Sequence, residues 1–238
     1  MRTYEQPKSK AFLGYVDDWY ESLLDARLDE VIAQAGGANR VGIFAVDLTK
    51  GFCETGPLAS QRVGAIVQPI ADLLRTAYEK GVRYFVLPQD SHPKQSPQFE
   101  QYGPHCVEGT REAQTVDALM ALPFSGRFQI MPKHSISAAL GTRLDGSLDD
   151  YPLLKLALCV GDCTDLCLYQ LAMHLKLRSN VQELHTRVLV PANCVDTYHL
   201  SVAQAAKLRA MPHDAELLHR LFLYHMALNG IEVVARLT

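Results

Sequence analysis

The chain has 238 residues, 48% hydrophobic and 21% charged, with a formal net charge of −3. That size and balance fit one soluble globular domain and fall short of two full-sized ones. A nearly neutral chain without a basic stripe is not expected to bind nucleic acid. It has no run of about 18 apolar residues to cross a membrane. The polar first ten residues lack the apolar core of a secretory signal. Six cysteines without such a signal read as reduced thiols, so the expected location is cytoplasmic.

From Phe12 to Ala35, Leu23, Leu24, Leu28, Val31 and Ile32 recur at helical spacing, and Gly36-Gly37 ends the pattern. A helical N-terminal extension over 1–38 is expected, ahead of a main domain at 39–238. The main domain alternates strands and helices. Strands are expected at Val41–Val46, Arg83–Leu87, Arg127–Met131, Leu154–Val160, Val181–Val190 and Ile231–Ala235. Helices are expected at Val63–Lys80, Gly109–Leu122, Thr164–Leu177, Ser201–Ala210 and Asp214–Asn229. This alternation predicts an α/β fold with a mostly parallel sheet covered on both faces.

In such sheets ligands bind beyond the carboxyl ends of strands, which directs attention to the polar residues there. Asp47 follows the first strand, and Gln89-Asp90-Ser91-His92-Pro93 the second. Lys133 follows the third across Pro132, and Gly161-Asp162-Cys163-Thr164-Asp165-Leu166-Cys167 the fourth. With Thr164 as N-cap, Cys167 falls in the first helical turn, where free N–H groups favour thiolate and an oxyanion. A buried spacer is the ordinary role of a lone cysteine. Cys163 is a rival nucleophile in the preceding turn, and a Cys163–Cys167 metal or disulfide pair is the third reading. A carboxylate such as Asp47 takes a thiol proton and returns it to a leaving amine, and an ammonium such as Lys133 stabilises both anions. Taken singly, Asp47 is an ordinary turn residue and Lys133 an ordinary solvated one; the combination makes the catalytic reading competitive.

Asp90 and His92 are two apart, so continued strand geometry points both side chains the same way. With His105 they make a two-imidazole, one-carboxylate set suited to one divalent ion, Zn²⁺ first, with Mn²⁺ and Fe²⁺ as alternatives. The commoner role of an isolated Asp-x-His is a surface turn. Histidines 134, 174, 185, 199, 213, 219 and 225 are read as structural or surface residues.

These motifs together resemble those of the isochorismatase-like cysteine hydrolases, and within them the nicotinamidase branch, from about Val41 to Val234. Thr164-Asp165-Leu166-Cys167-Leu168 after Gly161 is similar to the family's nucleophile signature. Asp47 with Phe52 five residues on resembles its first-strand motif, and Lys133 with Ser137-Ala138 its lysine motif. Asp90-Ser91-His92-Pro93 and His105-Cys106-Val107 resemble the nicotinamidase metal site. The resemblance implies a Rossmann-like three-layer fold with a six-stranded sheet. It also implies a cis peptide at Asp162–Cys163 and an oxyanion hole from the N–H groups of Cys163 and Cys167. The chain departs from the family at Thr49 and Gly51, where Gln and Asp are usual, at Tyr102-Gly103 in place of an aromatic–proline pair, and at Gln98 where some relatives have a metal-binding Glu. Asp162-Cys163 replaces a pair that is usually small and apolar.

The expected activity is conversion of nicotinamide and water to nicotinate and ammonia through a thioester, with Asp47, Lys133 and Cys167 catalytic and Phe52 and Tyr102 stacking on the substrate ring or packing in the core. The expected partners are a small-molecule amide and further copies of the chain. Three alternatives stay open: a cysteine hydrolase acting on an N-carbamoyl or ureido compound, a two-His-one-carboxylate iron oxygenase, and a non-catalytic binding module.

Overall fold

Six uncharged residues, Val41–Val46, are buried on both faces and form strand β1, on which the sheet is laid out. A strand covered on both sides needs a continuous apolar run rather than an alternating one. The computed structural model describes residues 6–208 and 210–238. Residues 1–5 of the expected extension and Arg209 of the expected helix 201–210 lie outside the described residues.

Helices α1 (Gln6–Glu21) and α2 (Leu28–Gln34) precede β1. After it come α3 (Lys50–Cys53), α4 (Gln61–Glu79), β2 (Tyr84–Asp90), α5 (Phe99–Tyr102), α6 (Asp117–Met120) and β3 (Phe128–Lys133). The chain continues through α7 (Leu144–Asp149), β4 (Leu156–Asp162), α8 (Cys167–Val181), β5 (Arg187–Pro191) and β6 (Val195–Asp196). It ends with α9 (Val202–Leu208), α10 (Ala215–Leu228) and β7 (Glu232–Val234). None of the helices among the described residues is long and apolar enough to cross a membrane.

The sheet runs β3-β2-β1-β4-β5-β7, all pairs parallel, with the two-residue β6 paired to the end of β4. The chain moves outward from β1 to β3, then returns to the other side of β1 at β4. In α/β sheets such a reversal is where ligands bind, beyond the carboxyl ends of the strands on either side of it, here β1 and β4. Alternate strand residues feed two cores. Ile43, Ala45, Leu158 and Val160 pack with Ile66, Ile70 and Leu74 of α4. Phe44, Val46, Ala157 and Cys159 pack with Leu168 and Leu171 of α8 and Leu223 of α10.

Register sets where the polar ends meet. Val46 pairs with Gly161, and Asp90 with Lys133. Gly161 has φ +113°, and a Cβ there would lie 2.0 Å from the Val46 carbonyl oxygen, so only glycine lets β1 and β4 come this close. Asp47 follows with φ 57°, a left-handed conformation that turns the chain out of the strand.

The three-layer α/β arrangement, the mostly parallel sheet and the N-terminal helix are as expected from the sequence. Several boundaries differ. The helical stretch 12–35 is divided between α1 and α2, because Ala26 pairs with Leu237 and exchanges backbone hydrogen bonds with Arg236 and Thr238. Of the helix expected at 109–122, only Asp117–Met120 forms. The residues before it are drawn onto α3 instead: Gly51 and Lys50 donate to the carbonyls of Glu112 and Gln114. Helix α8 runs on to Val181, and a turn with positive φ at Glu183 and His185 delays β5 to Arg187. β6 was too short to register in the pattern.

Candidate active site

Three strand ends deliver Asp47, Lys133 and Cys167 to one buried point. Lys133 Nζ lies 2.8 Å from Asp47 Oδ2, 2.5 Å from Asp90 Oδ1 and 3.4 Å from Cys167 Sγ, and it donates to the Ser135 carbonyl at 3.1 Å. Asp47 Oδ1 accepts the Asp90 backbone N–H at 2.8 Å, and its carboxylate is in hydrogen-bonding reach of the Cys167 thiol. Lys133 and Asp47 are wholly excluded from solvent, and Cys167 is 6% exposed. Cys167 opens α8, so its own N–H has no acceptor within the helix. The peptide bond between Asp162 and Cys163 is cis.

Two expectations are corrected here. Thr164 is not the cap of α8: the N-cap position is Leu166, without a side-chain hydrogen bond. The Thr164 hydroxyl pairs instead with His219 Nδ1 at 2.9 Å. The Cys167 thiol is also not lowered. Burial pushes it well up, and Lys133, which pulls it down against the carboxylates of Asp47 and Asp90, does not offset that burial. The sulfur therefore rests as a thiol. Asp47 is pushed up to about 6 by burial and by Asp90, against the pull of Lys133. Burial lowers Lys133, but the carboxylates of Asp47 and Asp90 overcome it and keep the ammonium charged. Asp162 is pushed well up by burial and by Asp47. Ionised Asp47 and Asp90 around one ammonium leave the cluster one negative charge in excess.

Asp90, His92 and His105 converge beside that trio, each offering a ligand atom within 4.8 Å of the others. His92 N–H donates to the Cys106 carbonyl and Glu108 N–H to the His92 carbonyl, a short ladder that fixes the two imidazoles side by side. Their ring centroids are 4.7 Å apart. His105 Nδ1 pairs with the Gly103 carbonyl at 2.8 Å, so Nδ1 carries the proton and Nε2 the free lone pair. His92 is fully buried, yet neither ring nitrogen has a hydrogen-bond partner; Nε2 is 3.2 Å from Asp90 Oδ2 without bonding geometry. An orphaned imidazole costs stability unless something else satisfies it. The lone pairs, the negative excess and the borderline-soft donor set all fit a divalent cation.

Phe52 and Tyr102 border the imidazoles, with ring centroids 5.7 and 6.3 Å from His105. Both are partly exposed. Phe99, not singled out in the sequence, packs edge-on to His92 and His105 at 5.5 and 5.6 Å. Gln98 precedes α5, and its backbone N–H donates to Ser96 Oγ. Gly51 has a steric reason: a Cβ there would meet Cys106 Sγ at 2.6 Å, so an Asp would displace the segment carrying His105.

Two of the histidines expected to be structural or surface residues, His213 and His219, are buried beside the turn that carries Cys167. His213 Nε2 is 2.7 Å from Asp165 Oδ2 in the turn before Cys167, and Thr197 donates to the other oxygen at 2.7 Å. His219 bonds Thr164 in the same turn. No local spacing links either histidine to residues 164–165. Only their proximity in the folded chain does.

A buried thiol, carboxylate and ammonium beyond the ends of three parallel strands define the class as a cysteine hydrolase on a Rossmann-like sheet. The isochorismatase domain family matches residues 41–219, and the chain belongs to that family. It is 29% identical over 216 residues to nicotinamidase 1 of Arabidopsis thaliana, covering 83% of this chain and 86% of that protein. Its fold is similar to that of pyrazinamidase/nicotinamidase from Streptococcus mutans UA159, with a TM-score of 0.64, 22% identity, and 82% and 99% of the two chains covered. N-carbamoylsarcosine amidase from Thermoplasma acidophilum shares the fold with a TM-score of 0.62, 20% identity, and 82% and 95% coverage.

Proposed function

We propose that the protein is a metal-assisted amidase converting nicotinamide to nicotinate and ammonia, with residues 39–238 as the hydrolase domain and 1–38 as an extension to it. One observation carries this reading: a single ammonium, Lys133 Nζ, touches the acid, the thiol and the metal-site carboxylate together. The two functional groups of residues are thus halves of one site. An oxygenase would leave Asp47 and Cys167 idle, and a simple binding module would not need so costly a buried charge cluster.

Asp47 is the base. As the sulfur attacks the carboxamide carbon, the S–H proton passes to Asp47 and negative charge moves to the carbonyl oxygen. The backbone N–H groups of Cys163 and Cys167 receive the oxyanion, and Lys133 balances the charge. Collapse breaks the C–N bond, and the proton on Asp47 leaves with the nitrogen as ammonia. Water then attacks the thioester, giving its proton to Asp47. The S–C bond breaks, nicotinate departs, and the proton returns to the sulfur.

Asp90, His92 and His105 would hold the divalent ion, zinc by first choice; when bound, it supplies a Lewis-acidic anchor for a ring nitrogen. Phe52 and Tyr102 flank a flat ring, and such positioning is a large part of the rate enhancement. Ammonia release from nicotinamide, set against N-carbamoyl and ureido compounds, tests the proposal. Turnover confined to the latter group would keep the chemistry and replace the substrate.

A further inference from the structure

His219 is 5% exposed, has no part in the proposed reaction, and sits between two distant elements. On one side its Nδ1 is 2.9 Å from the hydroxyl of Thr164, which is completely buried three residues before the nucleophile. On the other its Nε2 is 3.3 Å from the phenol of Tyr20, on α1. The matched family domain begins at residue 41, so α1 is an addition to it. Yet α1 is held firmly at this spot. Arg220 lies over the Tyr20 ring at 4.7 Å and pairs with Asp17 and Glu21, while Phe12, Tyr15 and Trp19 surround Tyr224 edge-on.

The direction of the hydrogen bonds follows from the charges nearby. Burial holds the His219 imidazole below its usual range, so the ring is neutral and has one donor and one acceptor. The Asp196 carboxylate lies 3.9 Å from Nδ1 and favours the proton there. Nδ1–H therefore donates to Thr164 Oγ, and Nε2 accepts the Tyr20 hydroxyl. Asp196 is itself clamped by Arg62, and its carbonyl accepts the Thr164 backbone N–H at 3.0 Å. The turn that carries the cis peptide and Cys167 is thus fixed at Thr164 from backbone and side chain alike.

We propose that Tyr20 is a positioning residue for the hydrolysis: through His219 it holds Thr164, and through Thr164 the Cys163–Cys167 turn, making the N-terminal helix part of the working enzyme. The inference rests on Cys167 being the nucleophile. Misplacement of the thiol or of the oxyanion donors by a fraction of an ångström lowers the rate, whereas substrate affinity, set by the imidazole side of the site, is unaffected.

The test is a double-mutant cycle on the full chain with Tyr20→Phe and Thr164→Val, both close in shape to the originals. Steady-state ammonia release, melting temperature and the rate of Cys167 alkylation by iodoacetamide are measured together. Loss of one buried hydrogen bond corresponds to a ~2–10-fold fall in kcat. The expected result is such a fall for Tyr20→Phe, with KM unchanged and the folded state intact at the assay temperature. In the Thr164→Val background the same change should have no further effect. Full activity in Tyr20→Phe or in Thr164→Val, equal multiplicative effects in both backgrounds, or a fall explained by unfolding would each overturn the relay. Cys167→Ala separates the two ideas: retained turnover there sinks the nucleophile reading, whereas an inactive Cys167→Ala with additive Tyr20 and Thr164 effects sinks only the relay.

Discussion

Lys133→Met removes the one cation that two buried carboxylates share, while keeping a chain of similar length and volume. Nζ is within 2.8 Å of Asp47 and 2.5 Å of Asp90, and none of the three side chains exceeds 1% exposure. Breaking a buried ion pair by deleting one partner costs about 3–5 kcal/mol, because the remaining charge has no water to return to. For a chain of this size each kcal/mol moves the melting temperature by roughly 2–4 °C, so a fall of about 6–20 °C is expected. Calorimetry should be run with a chelator, so that no divalent ion replaces the lost charge. The deficit should shrink as pH falls from 8 towards 5, because the carboxylates that lost their cation can then take up protons. Adding Asp47→Asn should recover part of the stability and none of the activity. A melting temperature within 2 °C of wild type at pH 8, on the scale of that ~6–20 °C, would mean that the buried ion cluster does not exist as described.

Three further outcomes follow from other parts of the site. Chelation or His92→Ala should raise KM for nicotinamide ~10-fold or more, since ring anchoring is lost; an unchanged KM removes the metal from substrate binding. Gly161→Ala, with φ +113° and its new Cβ 2.0 Å from the Val46 carbonyl, should destabilise by more than about 2 kcal/mol in urea unfolding. A neutral result would mean that β1 and β4 are not so close. His213→Gln tests the Asp165 pair through pH. Burial raises Asp165, but His213 and Thr197 outweigh it and hold the acid below its usual 3.8, so its contribution persists above that and is lost on acidification through the folded value. Burial likewise lowers His213, but Asp165 overcomes it and holds the base above its usual 6.5, so its contribution is complete below 6.5 and lost as pH rises through the folded value. The stability gap between His213→Gln and wild type should therefore be widest from about pH 4 to 6.5 and narrow above it. A gap that widens from pH 6.5 to 9 would contradict the pairing.

The parts of the fold legible in the sequence were those with strong local patterns. Val41–Val46 and the near-continuous Leu154–Val160 are apolar runs that suit a doubly covered strand, and the polar residues after them pointed to the site. The helix expected at 109–122 failed for a non-local reason, since Gly51 and Lys50 take the carbonyls a helix would have used. Thr164 looked like a cap because its type and position suit one, but a histidine 55 residues away claims its hydroxyl. The resting state of Cys167 was misjudged for a related reason. Helix position is visible in a sequence, whereas burial beside two carboxylates is a property of the assembled sheet.

The central claim is that Cys167 carries the acyl group during turnover. Rapid-quench mass spectrometry of the enzyme mixed with nicotinamide, followed by peptide mapping, tests it directly. A nicotinoyl thioester should appear on Cys167, be absent from Cys167→Ala, and survive in Cys163→Ala. An acyl group on Cys163, or ammonia release undiminished in Cys167→Ala, would contradict the account.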